Sequence, residues 1–372
     1  MTGADVVVIG GGIQGTTMAL AAARHGRRVL LLERGALADG ATGNSYGIVH
    51  GGLRYLQTLD VARWHRSRGA QHWFRNHYPQ RVKPLPCVMP LYRGRLRSPA
   101  AFRAAGRIEG LLTRRFGIDP ALPRLSVLPA EAMKAGYPVP RDGLTGGARW
   151  FDLELDDARR LVDDILRDAG LAAGDILTGV EAEGLVMDGP GVAGVRIRHV
   201  RDGSVDTVDC RTVIDCRGAA TAPLDGGPGG ADAAVLAFNL LFDLPFEGEE
   251  ALAVSESPGR GRSYFLRSRS GGTFTGTFYR PVGRDPQVLQ ADIDAARAAL
   301  ERAMPGIGFA SAPVLDVTGG LLPADGAGDS PNDRDHVSID RPHGYHRLVG
   351  VKLTTAPLLS FDVAERLFGK AA

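Results

Sequence analysis

The first 33 residues narrow the possible folds more than any other part of the chain. Residues 5–9 (DVVVI) are a short β-branched run of the kind found in buried parallel strands. Gly10, Gly11 and Gly12 follow, then an alanine-rich helical stretch from Ile13 to His25, closed by Gly26. Val29 to Leu32 is a second buried strand, ending at Glu33. This is a βαβ unit carrying Gly10-x-Gly12-x-x-Gly15 at its turn and an acid about 20 residues on, a combination far more specific than the glycines alone. Gly10 permits the tight turn, Gly12 lets a pyrophosphate approach the backbone, and Gly15 lets helix and strand pack closely. The helix N-terminus, opened by Ile13 and Gln14, offers amides and positive partial charge to phosphates. Glu33, followed by Arg34, is placed to accept hydrogen bonds from an adenosine ribose.

The fingerprint alone fits NAD or FAD. The next segment separates them. Gly40-Ala41-Thr42-Gly43-Asn44-Ser45 supplies small residues and hydroxyls of the kind a second phosphate and a ribityl chain require. Gly47-Ile48-Val49-His50-Gly51-Gly52-Leu53-Arg54-Tyr55-Leu56 follows directly.

The HGGLRYL string, after GGGIQG and a Thr/Ser-containing loop, resembles the FAD-dependent glycerol-3-phosphate dehydrogenases of the D-amino-acid-oxidase-like flavoprotein superfamily. Trp150-Phe151-Asp152 with Asp156-Asp157-Ala158-Arg159-Arg160-Leu161 is similar to that family's aromatic-Asp and DDARL pattern. Val213 to Gly218 (VIDCRG), Gly276-Thr277 and Gly350-Val351-Lys352-Leu353-Thr354-Thr355 resemble further family segments, so the likeness runs from residue 5 to 366. It implies an α/β protein, α+β overall. A Rossmann-type FAD-binding domain would be assembled from 1–80, 145–230 and 325–372, with an antiparallel-sheet substrate domain from 81–144 and 231–324. It also implies that backbone near Val180 meets the adenine side and that Gly218 contacts the flavin. Gly51 and Gly52 would let the chain lie against the flavin, and Gly350 to Thr354 would pass its pyrimidine end. There Lys352 can stabilise negative charge.

Three departures fall at the substrate side. Leu322 stands where the family's GVRPL segment has arginine, the usual fork for a phosphate. The GTTD aspartate is Tyr279, and GGKLTTYR becomes Gly350-Val351-Lys352-Leu353-Thr354-Thr355-Ala356-Pro357. The family's extra C-terminal helical domain is also expected to be absent. The expected substrate is therefore a nonphosphorylated polyol, sugar or cyclitol, although Arg54 or Arg267 can still serve an anion.

Oxidising an alcohol at a flavin needs a base for the hydroxyl proton, and His50 is the first candidate. It can equally hydrogen-bond the cofactor, link to it covalently, or be structural. Arg54, Tyr264, Arg267 and Tyr279 are candidates to bind substrate, or to be strand and surface positions. Alternatives to alcohol oxidation are an amine or amino-acid oxidase, a glycerol-3-phosphate dehydrogenase, and a flavoprotein without catalysis. The electron acceptor is oxygen, a quinone or another carrier.

Composition bounds the rest. Glycine makes up 50 of 372 residues, well above the ~7% average, and the formal net charge of +2 gives no case for nucleic acid. Lysine occurs only at positions 83, 134, 352 and 370, which makes Lys352 more informative. Three cysteines without a CxxC point to a reduced, cytoplasmic setting. No apolar run reaches the ~18 residues of a membrane span. Residues 101–116 set Phe102, Ile108, Leu112 and Phe116 among arginines: a membrane-surface helix, or more simply one packed on its own domain. His336, His343 and His346 lie near Asp333, Asp335 and Asp340, but the spacing fits no metal motif and none is expected.

Overall fold

The computed structural model describes residues 4–56, 58–94, 98–117, 122–219, 221–226, 234–257, 260–281, 287–324, 330–332, 334–340 and 342–370. Its first sheet has six strands in the spatial order His336–Ser338, Tyr345–Val349, Val213–Asp215, Val6–Ile9, Val29–Glu33, Ile176–Thr178. All neighbours are parallel except the first pair. Alternation along the strands sends Val6, Val8 and Ile214 to one face and Val7, Ile9 and Val213 to the other. The first face is covered by the helices Ile13–Arg24 and Ala356–Phe368, joined by Val162 and Leu166 of the helix Ala158–Asp168. The second is covered by an antiparallel meander of Val180–Asp188, Gly191–His199 and Val205–Asp209. A parallel sheet buried on both faces explains why its strands read as unbroken apolar runs.

The helix Ile13–Arg24 is buried from Ile13 to Ala22, so it needs small residues on nearly every side. A Cβ on Gly15 would fall inside the contact radius of the Gly10 carbonyl oxygen. Gly26, at φ +72°, ends the helix. Asp157 caps the helix Ala158–Asp168 by accepting from the amides of Arg159 and Arg160. The aspartate of the Asp157-Ala158-Arg159 run is therefore a helix cap.

The second sheet is built mainly from Val82–Tyr92, Leu144–Leu155 and four strands between Ala234 and Pro281, with Val314–Pro323 at one edge and Ile48–Val49 at the other. The sequence shows no parallel pattern over 79–148 because the strands there pair mostly antiparallel. One face packs on the helix Gln290–Ala303 through Leu236, Phe238, Leu252, Leu266 and Leu300. The other holds Tyr46, Ile48, Cys87 and Phe274 beside the loop that follows the βαβ unit. Ile48–Val49 pairs with Glu154 and Leu153, so His50 is delivered from the end of an edge strand.

The helix Pro99–Arg115 corrects the amphipathic reading in part. Phe102, Ala105 and Glu109 turn inward, whereas Leu111 is 67% and Phe116 45% exposed, and Ile108 also faces outward. Phe102 and Leu112 thus share the packed face, and the partly exposed Phe116 ring lies 4.6 Å from that of His65, whereas Ile108 does not join them. No helix among the described residues is long and apolar enough to cross a membrane.

Gly15→Ala is expected to lower the urea midpoint, because overpacking at backbone costs about 1–3 kcal/mol or more. An unchanged midpoint would contradict the close helix–strand contact.

Candidate active site

The fingerprint glycines serve different needs. Gly10 has φ +108°, a conformation side chains rarely adopt, and its Cβ would press on the Cys216 carbonyl. Gly12 occupies the N-cap position and has no side chain to cap the helix. Thr42 supplies that cap from the next loop, its Oγ1 accepting from the Ile13 amide at 3.0 Å. The following first-turn amides lack an intrahelical acceptor. Glu33 accepts from the amides of Gly11 (2.6 Å) and Gly35 (2.7 Å), which fixes its carboxylate at the end of the second strand. Arg34 reaches Glu181 at 3.6 Å on the surface.

The loop after Glu33 is ordered by its own polar groups. Asn44 Nδ2 donates to the carbonyls of Asp39 and Gly40, and Asn239 donates to the Asn44 carbonyl. Gly43 is required for packing, because a Cβ there would strike the Ala38 carbonyl and the Arg159 guanidinium. Gly51 and Gly52 likewise lie against Gln71 and Ser67 of the helix Val61–His77. Val180 begins a buried strand, and Gly218, at φ +84°, has open space where a side chain would stand.

Two segments about 300 residues apart in sequence meet here. The His50 amide donates to Thr354 Oγ1 at 3.3 Å, and Lys352 Nζ donates to the Tyr55 hydroxyl while lying 5.1 Å from the centre of its ring. Leu353 opens a short 3-10 turn that leads into the helix Ala356–Phe368. Burial works to raise the Tyr55 phenol, but the Lys352 ammonium outweighs it and, with Arg54, holds the group below the ordinary phenol range. Arg54 is exposed, with its guanidinium 5.4 Å from the same ring.

The His50 imidazole is 51% exposed and its Nδ1 lies 2.9 Å from Asp152 Oδ2. Asp152 is buried and also accepts from the Gly51 amide at 2.8 Å and Trp150 Nε1 at 3.2 Å. Burial alone would push this carboxyl up, yet the hydrogen bonds from His50, Gly51 and Trp150 hold it below the usual carboxylate range. Phe265 packs 5.6 Å from the imidazole centre.

Arg267 is a correction. Its guanidinium is 7% exposed, pairs with Glu154 and donates to the Tyr46 carbonyl at 3.0 Å. It braces the turn before Ile48 rather than facing an opening. Tyr279 is half-buried with the Arg262 guanidinium 4.7 Å from its ring centre, and burial raises its phenol. Tyr264 is buried and donates to Glu256 at 2.6 Å, away from His50 in the core under the helix Gln290–Ala303. Tyr55 and Asp152 are site neighbours that residue-type reasoning missed. Tyr55 follows Arg54 within the specific HGGLRYL string, and Asp152 is a carboxylate inside a mostly apolar strand.

Among the described residues no group of three or more His, Cys, Asp or Glu is arranged to hold a metal ion. His343 Nδ1 pairs with Asp340 at 2.9 Å, and His346 Nδ1 accepts from the Asp340 amide at 3.1 Å. Asp335 accepts from the Val351 amide. Asp333 lies outside the described residues.

These residues fit a flavin dinucleotide. Gln14 Oε1, beside Gly350, and Ser45 Oγ are buried with no hydrogen-bond partner, and such orphaned groups are what a ligand rich in hydroxyls and phosphates satisfies. Residues 5–366 match the family described as DAO, FAD dependent oxidoreductase. The chain therefore belongs to that family of FAD-dependent oxidoreductases. It is 31% identical over 381 residues to "Glycerol-3-phosphate dehydrogenase 1" of Mycobacterium tuberculosis, covering 97% of this chain and 72% of that protein. It is 33% identical over 219 residues to "Glycerol-3-phosphate dehydrogenase" of Mycobacterium leprae, covering 58% of this chain and only 36% of that one. The glycerol-3-phosphate dehydrogenase of Bacillus halodurans complexed with FAD shares the fold, with a TM-score of 0.71 at 19% identity, over 100% of this chain and 66% of that chain.

Lys352→Met is expected to raise the pH at which Tyr55 ionises, read as the ultraviolet phenolate signal lost in Tyr55→Phe. An unmoved titration would show that Lys352 does not govern this phenol.

Proposed function

We propose that this protein oxidises a CH–OH group of a small polar molecule to a carbonyl. The observation that carries the proposal is the junction of the 47–56 and 350–355 segments, where a half-exposed, carboxylate-held imidazole sits on a backbone tied to Thr354 and Lys352 is bonded to Tyr55. FAD, when bound, supplies the two-electron hydride acceptor at N5. His50 takes the hydroxyl proton as the carbinol C–H leaves with its electron pair, so substrate oxidation and flavin reduction balance. Lys352 would supply positive charge beside the pyrimidine end of the flavin. Gly10, Gly12, Ile13, Gln14, Gly15, Glu33 and Arg34 hold the adenosine and pyrophosphate end in this reading, with Val180 on the adenine side. Thr42, Gly43, Asn44, Ser45, Gly51, Gly52, Gly218, Gly350, Leu353 and Thr354 line the rest of the cofactor's path. The division into a dinucleotide domain and a substrate domain belongs to the same proposal, with the strand Leu144–Leu155 at their boundary.

The substrate we propose is a nonphosphorylated polyol, sugar or cyclitol. Leu322 cannot clamp a phosphate, and Arg267 is already engaged by Glu154. The exposed Arg54 beside Tyr55 favours a second reading in which the substrate carries an anionic group, as glycerol 3-phosphate does. Three buried free cysteines support a reducing, cytoplasmic setting.

Anaerobic titration of the holoprotein decides between these readings. Flavin bleaching is expected with a nonphosphorylated polyol, sugar or cyclitol and not with amines. Bleaching by glycerol 3-phosphate alone would replace the substrate class, and bleaching by an amine alone would replace the reaction.

A further inference from the structure

His50 and Asp152 belong to a longer polar chain whose hydrogen-bond directions can be deduced. Asp152 sits in the strand Leu144–Leu155 with its side chain 4% exposed. Its Oδ1 faces the Gly51 amide at 2.8 Å and Gln71 Nε2 at 3.4 Å; its Oδ2 faces Trp150 Nε1 at 3.2 Å and His50 Nδ1 at 2.9 Å. The Gly51 amide and the Trp150 indole can only donate. Gln71 has its orientation set from behind: Arg68, which can only donate, bonds Gln71 Oε1 at 2.9 Å. Gln71 must therefore turn its NH2 toward Asp152 and toward the Val49 carbonyl at 2.9 Å. Arg68 is itself fixed by an ion pair with Glu109, on the inward face of the helix Pro99–Arg115. Every arrow in this chain points at Asp152, and an ionised carboxylate only accepts. The proton shared with His50 must then sit on Nδ1.

We propose that Asp152 is a positioning residue that locks His50 as the Nδ1–H tautomer and presents Nε2 as its basic nitrogen. The inference rests on the reading of His50 as the base, and it adds which nitrogen acts and what makes it basic. Carboxylate–imidazole pairing fixes ring orientation and stabilises the imidazolium that forms when Nε2 accepts a proton.

The other charged groups on the surrounding elements are turned elsewhere. Glu154, on the same strand, pairs with Arg267 and Lys83; Arg68 pairs with Glu109; Lys352 turns to Tyr55. Cys87, on the neighbouring strand, is buried and its thiol is pushed well up, so it stays neutral. Asp152 is thus the one carboxylate paired with this imidazole among the described residues.

The test uses holoprotein labelled with ¹⁵N-histidine, the His50 signal being the one absent from His50→Gln. In its neutral form, wild-type His50 is expected to carry its proton on Nδ1, with Nε2 unprotonated. A wild-type proton on Nε2 would overturn the proposal without any variant. In Asp152→Asn, the amide can present its NH2 to Nδ1. The tautomer should then reverse, with the proton on Nε2 and Nδ1 accepting from the amide. An unchanged tautomer, with FAD still bound, would also overturn it, whereas a merely structural role for Asp152 leaves the tautomer where it is. With an alcohol that bleaches the flavin, turnover of Asp152→Asn should drop about 10²–10⁴-fold. The resonance measurements need no substrate, so they stand or fall separately from the proposed reaction.

Discussion

The approach of the helix Ile13–Arg24 to the strand Val6–Ile9 sets the geometry on which the rest of the molecule depends. Gly15 leaves no room for a side chain against the Gly10 carbonyl, and Gly10 has the positive φ that the turn demands. This brings the helix N-terminus to the carboxyl end of the central strand, where a pyrophosphate is held. Two other strand ends reach the same edge: Val213–Asp215 leads to Gly218, and Tyr345–Val349 leads to Gly350. The proposed cofactor site is thus a property of one sheet edge, assembled from three distant parts of the chain.

The reactive end depends on a second junction. Ile48–Val49 pairs with the antiparallel sheet, while the residues after Val49 return to the 350–355 segment. His50 stands where these two architectures meet. Its backbone is tied to Thr354 and its ring to Asp152, so neither segment can shift without moving the imidazole. The interior behind it is polar but closed. Trp150, Gln71 and the Arg68–Glu109 pair satisfy groups that would otherwise be costly to bury.

What was legible in the sequence follows from what is local. The βαβ unit could be read because its glycines answer backbone demands within 33 residues, and the buried parallel strands advertise themselves as unbroken apolar runs. The meeting of His50 with Thr354 and of Tyr55 with Lys352 is legible only through motif resemblance, since no local pattern spans 300 residues. Arg267 was misread because a guanidinium on a substrate-sheet strand looks the same whether it faces a ligand or Glu154. In the sequence Asp152 is only one residue of a motif, and its partners come from the loop at Gly51 and the helix Val61–His77. Thr42 illustrates the same limit: its hydroxyl caps the helix that Gly12 leaves uncapped, a role visible only once the loop has folded back.

The most direct test of the account is calorimetric titration of flavin-stripped protein with FAD, alongside Gly12→Val. The account predicts one FAD bound per wild-type chain and none by the variant, whose branched side chain obstructs the pyrophosphate approach. A wild-type chain that binds no FAD, or a Gly12→Val protein that binds it equally well, would contradict the assignment of this sheet edge as the flavin site.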